Sequence, residues 1–115
     1  MKNKKPNSLW GASIMINVLA SIKVKSGKKA EFIKIFKSNV PAVKNEKGCI
    51  EYVPTIDFDT QLSAQKLDGD VVTIIEKWES FEDLKAHLAA PHMATYREKV
   101  KDMVESVSLK VLQEA

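Results

Sequence analysis

This chain has little histidine, cysteine, glycine or proline, and each scarcity closes off a class of protein. A single cysteine, Cys49, rules out an intrachain disulfide framework and fits a reducing, cytoplasmic setting. Four glycines and four prolines in 115 residues leave no room for a collagen-like, linker-rich or low-complexity chain. No uncharged apolar run is long enough to span a bilayer, so no membrane partner is expected. A surplus of one charge is also missing where it would matter. The net charge of +3 comes from Lys2, Lys4 and Lys5 in a segment without acids, and the remainder balances 15 basic against 15 acidic residues. A neutral domain lacks the electrostatic footprint of a nucleic-acid binder.

What remains is a composition of 44% apolar and 29% charged residues over a length that suits one domain with one core. Residues 1–14 read as a flexible extension and residues 15–115 as the domain. The alternative for "MKNKKPNSLWGASIMINVLASI" is a cleaved secretory signal, with a basic start and a moderately apolar run. Ser13, Asn17 and Ser21 interrupt that run, which continues smoothly into "KVKSG".

In "MINVLASIKV", Ile16, Val18, Ala20, Ile22 and Val24 alternate with Asn17, Ser21 and Lys23, the pattern of a strand with one apolar face. From Lys28 to about Asn45 the period changes, and Phe32, Ile33, Phe36, Val40 and Val43 form a helical stripe. Pro41 is expected to bend or divide that helix near its end. "CIEYVPTID" is a second strand, with Pro54 implying an edge or a bulge. "LSAQKL" predicts a short strand pairing across Asp68-Gly69-Asp70 with "VVTIIEKWE". "SFEDLKAHLAA" predicts a helix capped by Ser80 and buried through Phe81, Leu84 and Leu88. Pro91 opens another, "PHMATYREKVKDMVES", with Tyr96, Val100, Met103 and Val107 on one side. "VSLKVLQ" closes the chain as a strand. The order defines an α+β domain, a mainly antiparallel sheet with helices on one face. Leu19, Val71 and Ile75 are apolar on the other face, which predicts a homodimer.

The only two histidines, His87 and His92, lie five residues apart in "HLAAPHMATY". On one unbroken helix they would point about 140° apart, and no third ligand is evident, so no metal site is expected. Glu76 shares a strand face with Val72, Ile74 and Trp78, and an acid on an apolar face must be paired, hydrogen-bonded or protonated. One reading makes it a structural partner of a lysine or a backbone donor. The other places Glu76 and Trp78 in a pocket beneath the helices, where the acid orients a histidine or receives a proton. Tyr52 and Tyr96 offer aromatic walls with hydroxyls, or plain core. His92 and Tyr96, four apart, can face one cavity.

"IEKWESFEDLKAHLAAPHMATY", with "VKSGKKAEFIKIF" and "EKGCIEY" before it, resembles the antibiotic-biosynthesis monooxygenase family, and within it the quinol monooxygenase branch. The resemblance runs from about Met15 to Gln113. It implies a ferredoxin-like fold in a dimeric α+β barrel, no cofactor, and a quinol or hydroxylated aromatic substrate oxidised by O₂. It further implies His92 first and His87 second as general base, Glu76 as orienting acid, and Trp78, Tyr52 and Tyr96 as pocket walls. The haem-degrading members of the family carry a triad whose places are taken here by Ser21, His87 and Arg97, so haem is not expected. Two other readings stay open. One is an isomerase for a small phosphorylated, autoinducer-type metabolite, with Lys23, Lys66 and Lys77 as candidate phosphate contacts. The other is a non-catalytic dimeric module that binds a quinone.

Overall fold

The computed structural model describes residues 14–115, so all but the last residue of the expected N-terminal extension lies outside the described residues. Four strands and three helices follow one another as β1 (Ile16–Val24), α1 (Lys29–Lys44), β2 (Cys49–Thr55), β3 (Val71–Trp78), α2 (Phe81–Leu88), α3 (Pro91–Val100) and β4 (Val104–Leu112). The strands form one antiparallel sheet in the order β2-β3-β1-β4, a ferredoxin-like α+β arrangement.

The alternation in β1 sets the two faces of the sheet. Ile16, Val18, Ala20, Ile22 and Val24 are all buried toward the helices, beside Val72, Ile74, Glu76 and Trp78 of β3. Phe32, Phe36 and Val43 of α1 close over them. Pro41 lies inside α1, three residues before its end, and the helix continues past it to Lys44. Pro54 sits on β2, an edge strand whose outer side needs no ladder donor.

Three local expectations are corrected. "LSAQKL" is not a strand, because β3 is already paired on both sides, by β1 and by β2. The segment is instead a loop held by its own side chains. Gln65 Nε2 donates to Phe58 O at 2.8 Å, and Asp68 N donates to Asp57 Oδ2 at 2.8 Å. The last helix stops at Val100, and β4 begins at Val104 rather than Val107. There the backbone leaves the helix for the sheet edge, Lys25 N donating to Met103 O at 2.8 Å. Finally, α2 is turned about its axis relative to the expected face. Leu84 is buried as predicted, but Phe81 and Leu88 are 50% and 42% exposed, and Asp83 and His87 take the inward positions.

Candidate active site

The helix-side face carries the chemistry. Tyr52, Glu76, Val18 and Val111 lie in one row across all four strands. A mostly apolar cavity of about 490 Å³ lies over this face, floored by Tyr52, Glu76, Ile74, Ala20 and Ile22 and bounded by Phe36 of α1, by His87 and Leu88 of α2, and by Met93, Tyr96, Arg97 and Val100 of α3. Val107 and Leu109 of β4 line its open side and are themselves exposed. Leu88 and Val107, which look misplaced as core residues, are therefore wall residues.

His87 is 1% exposed and packed on two aromatic rings. Its centroid is 4.7 Å from that of Trp78 and 5.4 Å from that of Tyr52. Phe36 stacks on Tyr52 at 5.4 Å and meets Tyr96 edge-on at 5.5 Å, which continues the aromatic wall. Burial lowers the His87 pKa below the ordinary histidine value, and its bond to Glu46 opposes that shift without cancelling it. The ring is thus held neutral, the form that accepts a proton. Burial likewise pushes the Tyr52 and Tyr96 hydroxyls up, so both stay protonated donors.

Glu76 lines the cavity and accepts a hydrogen bond from Trp78 Nε1 at 3.0 Å. Burial raises its pKa, the Trp78 bond works against that, and the Glu46 charge adds to it. No salt bridge engages it among the described residues. Trp78 is fully buried behind His87 and does not itself line the cavity.

The acid in contact with histidine is not Glu76 but Glu46. Both Glu46 carboxylate oxygens lie 3.1 Å from His87 Nδ1. Glu46 Oε2 is also 2.6 Å from His92 Nε2, a close approach without the alignment of a hydrogen bond. The break between α2 and α3 before Pro91 brings the two histidines together on one carboxylate. His92 does not line the large cavity. It borders a smaller one of about 190 Å³ with Asn39, Thr95 and Lys99, and Tyr96 stands between the two cavities. Among the described residues, no cluster of three or more His, Cys, Asp or Glu side chains is arranged to hold a metal ion.

Lys23, Lys66 and Lys77 do not line the cavity, and Lys23 is paired with Asp68 at 2.8 Å. The cations that reach the cavity are Arg97, whose Nη2 donates to Leu88 O at 3.0 Å, and Lys101, whose Nζ is 2.6 Å from Glu98.

The molecule is thus a small ferredoxin-like α+β domain whose apolar, aromatic-lined cavity is of a size for a small molecule. The family model for antibiotic biosynthesis monooxygenase matches residues 15–99, and the chain belongs to that family. It is 37% identical over 101 residues to the Escherichia coli (strain K12) protein named "Probable quinol monooxygenase YgiN", covering 86% of this chain and 97% of that one. A solved structure from Shewanella oneidensis superposes with a TM-score of 0.75 at 25% identity, over 89% of this chain and 92% of the other. A conserved protein from Methanosarcina mazei Go1 superposes with a TM-score of 0.76 at 20% identity, over 90% and 96%, a likeness of fold alone.

Proposed function

We propose that the chain is a cofactor-independent monooxygenase that oxidises a quinol or a hydroxylated aromatic with O₂ in the 490 Å³ cavity. The supporting observation is His87, a buried neutral imidazole on the wall of an apolar, aromatic-lined space. A base in that position takes the phenolic proton, and the resulting phenolate is electron-rich enough to reduce O₂. The overall change balances without another reductant. One oxygen atom enters a ring C–H as hydroxyl and the quinol becomes a quinone, and the four electrons released reduce O₂, whose second atom leaves as water. In this reading the apolar walls keep bulk water from the charged intermediates, and Tyr52 and Tyr96, which line the cavity, serve as hydroxyl donors to a developing oxyanion.

Of the two histidines, His87 has the better position for the base, since His92 reaches the cavity only through its neighbours. Glu76, its pKa raised by burial and its carboxylate bonded to Trp78, serves as a polar anchor for a second substrate hydroxyl. A phosphorylated substrate fits less well: none of Lys23, Lys66 and Lys77 reaches the cavity, and the two cations that do, Arg97 and Lys101, are engaged with Leu88 O and Glu98. A quinone-binding module without turnover shares the cavity but gives His87 no task. The homodimer belongs to the same proposal. Val53, Ile75 and Leu19 form an exposed apolar row on the sheet face away from the helices, suited to a second copy.

Oxygen uptake with menadiol, in the presence of a chelator and corrected for autoxidation, tests the activity. Saturable uptake that survives the chelator is expected. A general base is worth about 10²–10⁴-fold, so His87→Ala should lose activity on that scale and His92→Ala less. Uptake no faster than the buffer blank sinks the oxygenase reading for this substrate class.

A further inference from the structure

The geometry points to Glu46 as a positioning residue: it holds the His87 ring with Nδ1 protonated and directed at its carboxylate, leaving Nε2 as the basic nitrogen for the cavity. A carboxylate only accepts hydrogen bonds, so the nitrogen it faces must carry the proton. Both oxygens of Glu46 stand at the same 3.1 Å from Nδ1, and no other side chain among the described residues contacts that ring through a polar atom. Trp78 and Tyr52 hold its plane by packing, which does not choose between the nitrogens. A hydrogen bond at one imidazole nitrogen determines which nitrogen is left to act.

Three ties hold Glu46 in place. It follows Asn45, the C-cap of α1, and Glu46 N donates to Val43 O at 2.9 Å. Glu79 N, at the end of β3, donates to Gly48 O at 2.8 Å, so the turn carrying Glu46 is fastened to the strand that leads into the His87 helix. Asp83, one turn before His87 on α2, packs its carboxylate against Gly48. At 15% exposure Glu46 is sheltered enough for its charge to act on the ring. Besides these ties, His92 Nε2 lies 2.6 Å from Oε2 and further constrains the carboxylate.

The catalytic purpose of this arrangement rests on the oxygenase reading, but the tautomer can be tested without it. The chain has only two histidines, so a long-range ¹H–¹⁵N imidazole spectrum of the full-length protein contains two spin systems, and His92→Asn assigns them. The expected wild-type result at neutral pH is His87 with Nδ1 protonated and Nε2 bare. In Glu46→Ala the ring should revert toward the Nε2–H form that free histidine prefers, and Glu46→Asp should restore part of the Nδ1–H population. With menadiol, Glu46→Ala should lower kcat about 10- to 100-fold, less than loss of the base itself, with KM little changed. An Nε2–H tautomer in the wild type overturns the assignment whatever the activity. So does a Glu46→Ala spectrum that keeps Nδ1–H, and should that variant not fold, the wild-type spectrum still decides. An Nδ1–H ring in a protein that consumes no oxygen leaves Glu46 in its role and removes the oxygenase.

Discussion

At the scale of single residues, Gly48 and Glu76 show how the site is set. Gly48 has φ +81°, and a Cβ there would overlap the Asp83 carboxylate. Gly48→Ala therefore combines the left-handed penalty of about 1–2 kcal/mol with a steric one, for an expected loss of about 2–4 kcal/mol in urea unfolding. Adding Asp83→Ala should recover the steric part and leave the conformational part, a separation that a double-mutant cycle measures. Glu76 gives a pH signature. Its folded pKa lies above the unfolded value, so between the two the folded state binds more protons, and its contribution falls as pH rises through that window. His87 works oppositely: its folded pKa is lowered, so its contribution is complete above the unfolded histidine value and fades as pH falls. Glu76→Gln keeps an acceptor for Trp78 Nε1 and removes only the first effect. The difference in unfolding free energy, variant minus wild type, should grow in the variant's favour from about pH 4.5 upward and then level off. A flat difference would mean that burial does not raise the Glu76 pKa. Glu76, Trp78 and the two histidines could be picked out in sequence because they are unusual residue types on apolar patterns. Glu46 could not, since it stands in "KNEKG", where an acid looks like any solvated helix end.

At the scale of elements, the alternating strands β1 and β3 and the stripe of α1 were legible because burial on one face imposes a period. The face of α2 was not. Eight residues hold too few turns to distinguish a stripe at 81, 84 and 88 from one at 83, 84 and 87, and the tie to Gly48 makes the choice. The loop over 56–70 was misread for a different reason. Its apolar residues suggested a strand, but strand formation needs a free edge, and the sheet order that denies one is not a local property. The cap of α2 was legible and has a consequence. Ser80 Oγ accepts from Asp83 N at 3.1 Å, and Ser80→Ala should cost about 1 kcal/mol. Because α2 carries both His87 and Asp83, amide exchange should quicken through Asp83–His87 before it does in β1. Uniform quickening across the domain would show instead that the cap matters only to global stability.

At the scale of the whole molecule, one feature of the sheet has no explanation within a single chain. In the register of the four strands, Val53, Ile75 and Leu19 stand side by side across three of them, all exposed, with Lys110 at the end of the row on β4. Such a row across the middle of this face suits an isologous contact, where each copy covers the other's strip. Leu19 and Ile75 are register partners, which permits a test that spares the fold. The double substitution Leu19→Glu and Ile75→Lys places opposite charges directly across from one another, a pairing favourable within the sheet, while removing the apolar strip. The wild type is expected to sediment as a dimer and the double variant as a monomer, with the far-ultraviolet circular dichroism of the two unchanged. Loss of that dichroism would mean the pair is needed for folding, and the single substitution Val53→Lys, on edge strand β2, would then carry the test. A variant that stays dimeric places the contact elsewhere. The exposed apolar side of β4 at Val107 and Leu109 is the next surface to alter, and because it also borders the cavity, covering it would make each copy part of the other's site.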